Sequence, residues 1–291
     1  DLADAYPAAK AVFDEVDEAL GEKLSTLIWE GDAEELTLTQ NAQPALMATS
    51  MAAMAAMKSE GITLDRAAYV AGHSLGEYAA LCAAGTFSLS DTARLLRIRG
   101  RAMQSAVPVG QGAMAALLGL SFEQAEAVAA QAAQGDVCQV ANQNDPAQNV
   151  VSGSKAAVER AIDLAKAAGA KRALLLPVSA PFHCALMAPA AKEMADALAD
   201  VDMQAPAVPV VANVIAEAVS DPAEIRELLI KQVTGQVRWL SSIEWMSAQG
   251  ITEIWEIGAG KALSGMIRRI DKTVATVNIG TAADVAAINL A

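Results

Sequence analysis

Residues 66–85 read RAAYVAGHSLGEYAALCAAG, and the reading of Gly72-His73-Ser74-Leu75-Gly76 within them decides the fold. A Gly-x-Ser-x-Gly run is the pattern of a serine nucleophile elbow: a short apolar strand stops, a Ser stands on a strained turn, and a helix starts at once. The flanks fit that demand. Ala68-Tyr69-Val70-Ala71 reads as a buried strand, and residues 77–84 read as a helix ended by Gly85. Gly72 and Gly76 carry no side chain, so strand and helix are expected to approach closely there.

The chain around this stretch has 291 residues, 54% of them hydrophobic and 19% charged, which is the composition of a folded globular protein with a large core. Every long apolar run is interrupted by Lys, Glu, Asp or Gly before it reaches the roughly 20 residues of a membrane span. The first residues, Asp1-Leu2-Ala3-Asp4, have no basic region followed by an apolar one, so nothing marks them for export. Cys82, Cys138 and Cys184 are too far apart in sequence for a paired zinc motif, and their odd number does not make a disulfide framework. A cytoplasmic protein with reduced thiols and no bound metal is expected. The net charge of −13 argues against general nucleic-acid affinity.

Taken in order, residues 1–30 are expected to form one amphipathic helix through Val12, Phe13, Val16, Leu20 and Leu24. Pro44 is expected to open a second, whose methionines at 47, 51, 54 and 57 read as core packing. Beyond the elbow, Ser88 to Ser90 cap a helix that carries four arginines. Arg94, Arg97 and Arg101 share one face, while Arg99 falls among Leu95, Leu96, Ala102 and Met103 on the apolar face. A charge there needs an anion, either an internal Asp or Glu or a ligand carboxylate, unless the side chain snorkels out to water.

Residues 111–178 have their own rhythm: strand, helix, two strands, helix, strand. That βαββαβ order predicts a small ferredoxin-like subdomain inserted into a large α/β-hydrolase-like domain of residues 1–110 and 179–291. Asn142-Gln143-Asn144-Asp145-Pro146 reads as its central turn. The large domain resumes with strands alternating with helices, which predicts a mainly parallel sheet. Residues 232–235 read as a loop, and Gly258-Ala259-Gly260 as a plain turn rather than a nucleotide fingerprint.

A serine needs a general base to act as a nucleophile at neutral pH. Of the two histidines, His73 adjoins Ser74, and an elbow projects a neighbouring side chain away from the nucleophile. His183 therefore remains, on a Pro-flanked crossing between the two domains. Cys184 cannot easily reach the ring of its sequence neighbour and reads as a buried small hydrophobe. No Asp or Glu stands out as a third member.

These residues together carry a resemblance. Gly72-His73-Ser74-Leu75-Gly76-Glu77-Tyr78, Arg99-Gly100 with Met103, residues 142–152, residues 179–187 with His183, and Gly258-x-Gly260-Lys261 resemble the malonyl-CoA:acyl carrier protein transacylases of bacterial fatty acid synthesis, along essentially the whole chain. Acyltransferase domains of polyketide synthases share most of these motifs. The resemblance implies Ser74 as the acylated nucleophile, His183 as general base and acid, and Arg99 as the group that holds the malonyl carboxylate. It implies Leu75 as an oxyanion-hole N–H donor and Gln232 as the residue whose main-chain carbonyl orients His183. Phe182 before His183 is similar to the malonyl-type pattern. Malonyl-CoA is then a substrate, acyl carrier protein the partner, and no cofactor is needed. Carrier docking is expected to use Arg94, Arg97, Arg268 or Arg269. Members of the family begin with an apolar strand and a Gly-Gln-Gly turn that supplies the second oxyanion donor. The sequence starts beyond it at Asp1, so an omitted upstream piece is expected. A serine esterase or thioesterase-like hydrolase, and a noncatalytic carrier-binding module, are the alternatives.

Overall fold

A computed structural model of the chain describes residues 1–288. The chain opens with four helices, α1 (Leu2–Ala5), α2 (Pro7–Leu20), α3 (Leu24–Glu30) and α4 (Ala33–Thr37), rather than one helix over 1–30. The breaks have local causes. Proline drives the residue before it out of the helical region, and Tyr6, before Pro7, is extended at φ −126° and ψ 109°. Gly21 closes α2 in the left-handed conformation at φ 66°.

Helix α5 (Thr39–Ser59) starts five residues before Pro44, so the proline lies inside it instead of opening it. With no N–H on Pro44, the Gln40 carbonyl lacks its helical donor. Arg97 Nη1 takes the donor's place at 2.7 Å. Strand β1 (Val70–Ala71) leads into α6 (Leu75–Ala83), and α7 (Leu89–Ser105) follows, capped by Ser88. Helices α5 and α7 touch at Gly100, where a Cβ would stand 2.4 Å from Gln40 Cα. This contact brings the buried Arg97 and Arg99 against the first turns of α5. Arg97, expected on the outer face with Arg94 and Arg101, is instead buried, bonded to Asn41 and paired with Glu22.

The middle of the chain forms β2 (Gly112–Leu118), α8 (Phe122–Ala133), β3 (Cys138–Asp145), β4 (Gln148–Ser154), α9 (Lys155–Ala167) and β5 (Arg172–Leu175). Its four strands make one antiparallel sheet in the order β3-β4-β2-β5, with a separate apolar core between sheet and helices. Residues 142–145, expected in a turn, extend strand β3. Register shifts between Val140 and Asn142 and between Gln143 and Asp145 bend it. The bent end stays paired with β4 and also reaches the rest of the chain, where Gln143 N donates to the Val237 carbonyl at 2.9 Å.

The remainder comprises α10 (Ala188–Ala199), β6 (Val210–Val211), β7 (Ala218–Val219), α11 (Pro222–Thr234), α12 (Trp239–Ala248), β8 (Glu253–Ile257), α13 (Ala262–Ile270), β9 (Ala275–Ile279) and α14 (Ala282–Ala286). Strands β1 and β6 pair in parallel with β7 antiparallel beside them, while β8 and β9 form a second parallel pair. The architecture is mixed α/β, with the parallel pairing divided between two small sheets instead of one mainly parallel sheet. The strands are short because the elbow ends β1 at Gly72, and a turn through Ala216 at φ 59° sends β6 back into β7. Met47 and Met57 are buried in the main core, and Met51 and Met54 pack against it. Gly258 and Gly260 hold positive φ in a turn, as read from the sequence.

Gly100→Ala is expected to cost about 1–3 kcal/mol of stability, because the added methyl meets backbone that cannot yield. Chemical denaturation of the two proteins measures the difference.

Candidate active site

Ser74 lies between β1 and α6 at φ 54° and ψ −109°, a conformation that residues with a side chain rarely adopt. The two elbow glycines are not equivalent. A Cβ on Gly72 would come within 2.0 Å of the Gly76 carbonyl group, whereas a Cβ on Gly76 meets nothing within 4 Å. The close approach therefore demands glycine at 72 alone.

His183 comes from the crossing that follows β5, 109 residues further along the chain, and its Nε2 stands 2.7 Å from Ser74 Oγ. Its Nδ1 is 2.8 Å from the Gln232 main-chain carbonyl. A carbonyl only accepts, so Nδ1 carries the proton and Nε2 is left as the acceptor for the serine hydroxyl. Gln232 sits in the last turn of α11 rather than in a loop. The final carbonyls of a helix have no helical donor, which leaves this one free for the imidazole. Burial, then the nearby Arg99 charge, push the His183 pKa down to about 3, so the ring stays neutral.

Arg99 is 1% exposed and turns into the same space. Its Nη2 donates to Ser74 Oγ at 3.1 Å and to Gln232 Oε1 at 2.8 Å, and its Nη1 donates to Gln43 Oε1 at 2.7 Å. All three acceptors are uncharged. Its guanidinium carbon lies 5.6 Å from the centre of the Tyr78 ring. Of the options open from sequence, snorkelling is thus excluded by burial, and among the described residues no carboxylate hydrogen-bonds the guanidinium. The buried Glu77 lies behind it, accepting from Gln232 Nε2 at 2.8 Å and from Asn213 N at 3.1 Å. Burial raises the Glu77 pKa to about 7 against those two bonds and the Arg99 charge.

Thr39, Gln43, Ser74, Leu75, Arg99, Met103, Phe182 and His183 line one cavity of about 170 Å³. Leu75 opens α6, and the first amides of a helix have no helical acceptor. The five residues singled out from sequence, Ser74, Leu75, Arg99, His183 and Gln232, thus converge. His73 is turned away, with Nε2 on Asn144 Oδ1 at 2.9 Å. Cys184 is fully buried and its thiol donates to the Pro181 carbonyl at 3.2 Å. Gln43, Asn213 and the structural part of Glu77 went unnoticed in the sequence. Asn213 had a signal, since it follows directly on the buried strand β6, at the carboxyl end where α/β folds place their sites. Gln43 had none. Among the described residues, no group of three His, Cys, Asp or Glu could hold a metal ion, and no helix is long and apolar enough to cross a membrane.

Comparison with known proteins gives the family of the chain. The family described as acyl transferase domain matches residues 1–238. The malonyl CoA-acyl carrier protein transacylase of Bacillus subtilis is 48% identical over 280 residues, covering 96% of this chain and 87% of the relative. The chain belongs to the acyl transferase family, among the malonyl-CoA:acyl carrier protein transacylases. The Escherichia coli transacylase is 46% identical and covers 94% of this chain and 88% of its own. Among solved structures, the acyl-carrier-protein S-malonyltransferase of Bartonella henselae superposes with a TM-score of 0.96 at 55% identity, covering 98% of this chain and 91% of that one. A malonyl-transacylase solved in complex with its type II PKS acyl-carrier protein superposes at 0.95 with 41% identity, over 98% of this chain and 92% of its own.

A serine-directed phosphonylating reagent reads the free site. With His183 depressed toward pKa 3, its second-order rate at pH 5 is expected to stay near the neutral plateau. An ordinary His of pKa about 6.5 would be only about 3% neutral at that pH, and the rate would fall accordingly.

Proposed function

We propose that this chain transfers a malonyl group from malonyl-CoA to the phosphopantetheine thiol of acyl carrier protein, by a ping-pong route through a malonyl-serine, in fatty acid biosynthesis. The observation that carries the reading is a buried guanidinium whose hydrogen-bond acceptors among the described residues are all uncharged, 3.1 Å from a serine that also sits 2.7 Å from a neutral histidine. An esterase has no use for that guanidinium.

In this reading, Ser74 Oγ attacks the thioester carbon while its proton passes to His183 Nε2. The carbonyl oxygen becomes the oxyanion, and the Leu75 N–H faces it as one donor of the hole. Collapse breaks the carbon–sulfur bond, and the departing coenzyme A thiolate takes the proton from His183. The carrier thiol then repeats the steps in reverse, giving its proton to His183 and receiving the malonyl group from Ser74. Arg99 turns from Ser74 Oγ to hold the free carboxylate with two parallel N–H bonds, which selects a diacid over acetyl. Gln232 acts from its main chain on His183 and from its side chain on Arg99. None of these steps uses a resident cofactor or metal.

Within the carrier-docking set, Arg97 is withdrawn because it is buried and paired with Glu22. We read residues 111–178 as the ferredoxin-like subdomain, supported by the strand order β3-β4-β2-β5, and residues 1–110 with 179–291 as the hydrolase-like catalytic domain. The cytoplasm is the proposed compartment, in keeping with three buried free thiols.

Incubation with isotopically labelled malonyl-CoA is expected to place the label on Ser74 by peptide mass spectrometry; a wild-type protein that carries none would refute the mechanism. Arg99→Ala is expected to lower kcat/KM for malonyl-CoA by about 10²-fold or more, the scale of breaking a buried charged pair. Acetyl transfer, assayed alongside, should hold or rise. Equal losses on both acyl groups would remove Arg99 from selectivity.

A further inference from the structure

The elbow conformation of Ser74 is unfavourable by itself, and such backbone persists only where its surroundings over-determine it. What holds it here comes from 139 residues away. Asn213 is 1% exposed and stands just past the end of β6, which runs parallel to β1. Its Oδ1 accepts from Ser74 N at 2.8 Å, and its Nδ2 donates to the Gly72 carbonyl at 2.7 Å. The two bonds straddle His73 and grip the turn on both sides of its bend.

The asparagine is itself immobilised. Its backbone N–H donates to Glu77 Oε2 at 3.1 Å, and its carbonyl accepts from Arg238 N at 3.0 Å. Gln232 Nε2 approaches the same Oδ1 at 3.3 Å, while also donating to the Ser74 carbonyl at 3.0 Å and to Glu77 at 2.8 Å. The side chain therefore has one orientation open to it, with the amide nitrogen toward Gly72 and the oxygen toward Ser74.

Resting on the reading of Ser74 as nucleophile, we propose that Asn213 is a positioning residue that clamps residues 72–74 and thereby holds Ser74 Oγ on His183, with Glu77 fixing the clamp. Arg99 is not a direct partner of Asn213 and meets it only through Gln232, so the clamp acts chiefly on the reactivity of the serine and less on the grip of the carboxylate. An acceptor at Oδ1 and a donor at Nδ2 are both required. An amide supplies both at any pH, and a carboxyl only when it is protonated.

Asn213→Asp separates this role from simple packing, since it keeps the shape and removes the donor. The titratable and charged groups around the new carboxyl are Glu77, His73, His183 and Arg99. Burial raises its pKa above the ordinary Asp range, against the Arg99 charge. With malonyl-CoA and acyl carrier protein as substrates, Asn213→Asp at pH 8 is expected to lose about 10²-fold in kcat, with KM for malonyl-CoA within about threefold of wild type. Toward pH 5.5 the kcat ratio to wild type is expected to recover at least tenfold, because the protonated carboxyl again donates to the Gly72 carbonyl. Asn213→Ala should lose the same kcat without recovery. If the alanine variant does not fold, the pH response of Asn213→Asp decides: recovery supports the clamp, and a pH-independent loss, an unchanged kcat or an effect confined to KM overturns it. Labelling of Ser74 by malonyl-CoA in the wild type is run beside these assays. An unlabelled wild type brings down the functional reading and the clamp together, whereas a labelled wild type with an unaffected variant brings down the clamp alone.

Discussion

A permanently charged guanidinium buried beside a serine hydroxyl is the constraint from which the rest of this structure follows. Arg99 cannot lose its proton at any relevant pH and is cut off from water, so its donors need acceptors supplied by the protein. Gln43, Gln232 and Ser74 accept from its two Nη groups without supplying charge, while its buried Nε has no hydrogen-bond partner among the described residues. A carboxylate bonded directly to Arg99 would have made a closed structural ion pair. Uncharged acceptors leave the cation available to an anion from outside.

Meeting that constraint shapes the fold around it. Helix α7 must lie close enough to α5 for Arg99 to reach Gln43, and Gly100 is the residue that permits the approach. Helix α11 must end at the site, so that Gln232 can offer its side chain to Arg99 and its orphan carbonyl to His183. One residue thereby ties the cation to the base. The Arg99 charge in turn works with burial to keep His183 neutral, which is the form that accepts a proton from Ser74.

The two parts of the chain meet at the bent end of β3, which stays paired with β4 and also bonds to residues of the other part. Asn144 holds His73 away from the serine, and Asp145 pairs with Arg269 on α13. The polar run at 142–145 looked like turn chemistry because such residues favour turns on the surface. Here they are buried strand residues with partners across the junction, and only distant contacts make that visible. The same holds for Arg97, whose place on the outer face of an isolated helix was reasonable until Pro44 left the Gln40 carbonyl without its helical donor.

By itself the sequence determined the elements whose causes are local: the elbow at Gly72 to Gly76, the cap at Ser88, the βαββαβ order of residues 111–178, and Arg99 on an apolar helix face. It also singled out Ser74 and His183 by chemistry, since a serine nucleophile needs a base and one other histidine exists. Only the tertiary structure decided what fills the remaining roles. Gln43 and Asn213 lie 56 and 139 residues from the groups they hold; nothing in its neighbours marks Gln43, and the end of a buried strand marks the place of Asn213 but not its partners. The reason is physical: a hydrogen bond to a buried cation or a strained backbone is set by where packing brings two distant segments, and local propensity has no knowledge of that.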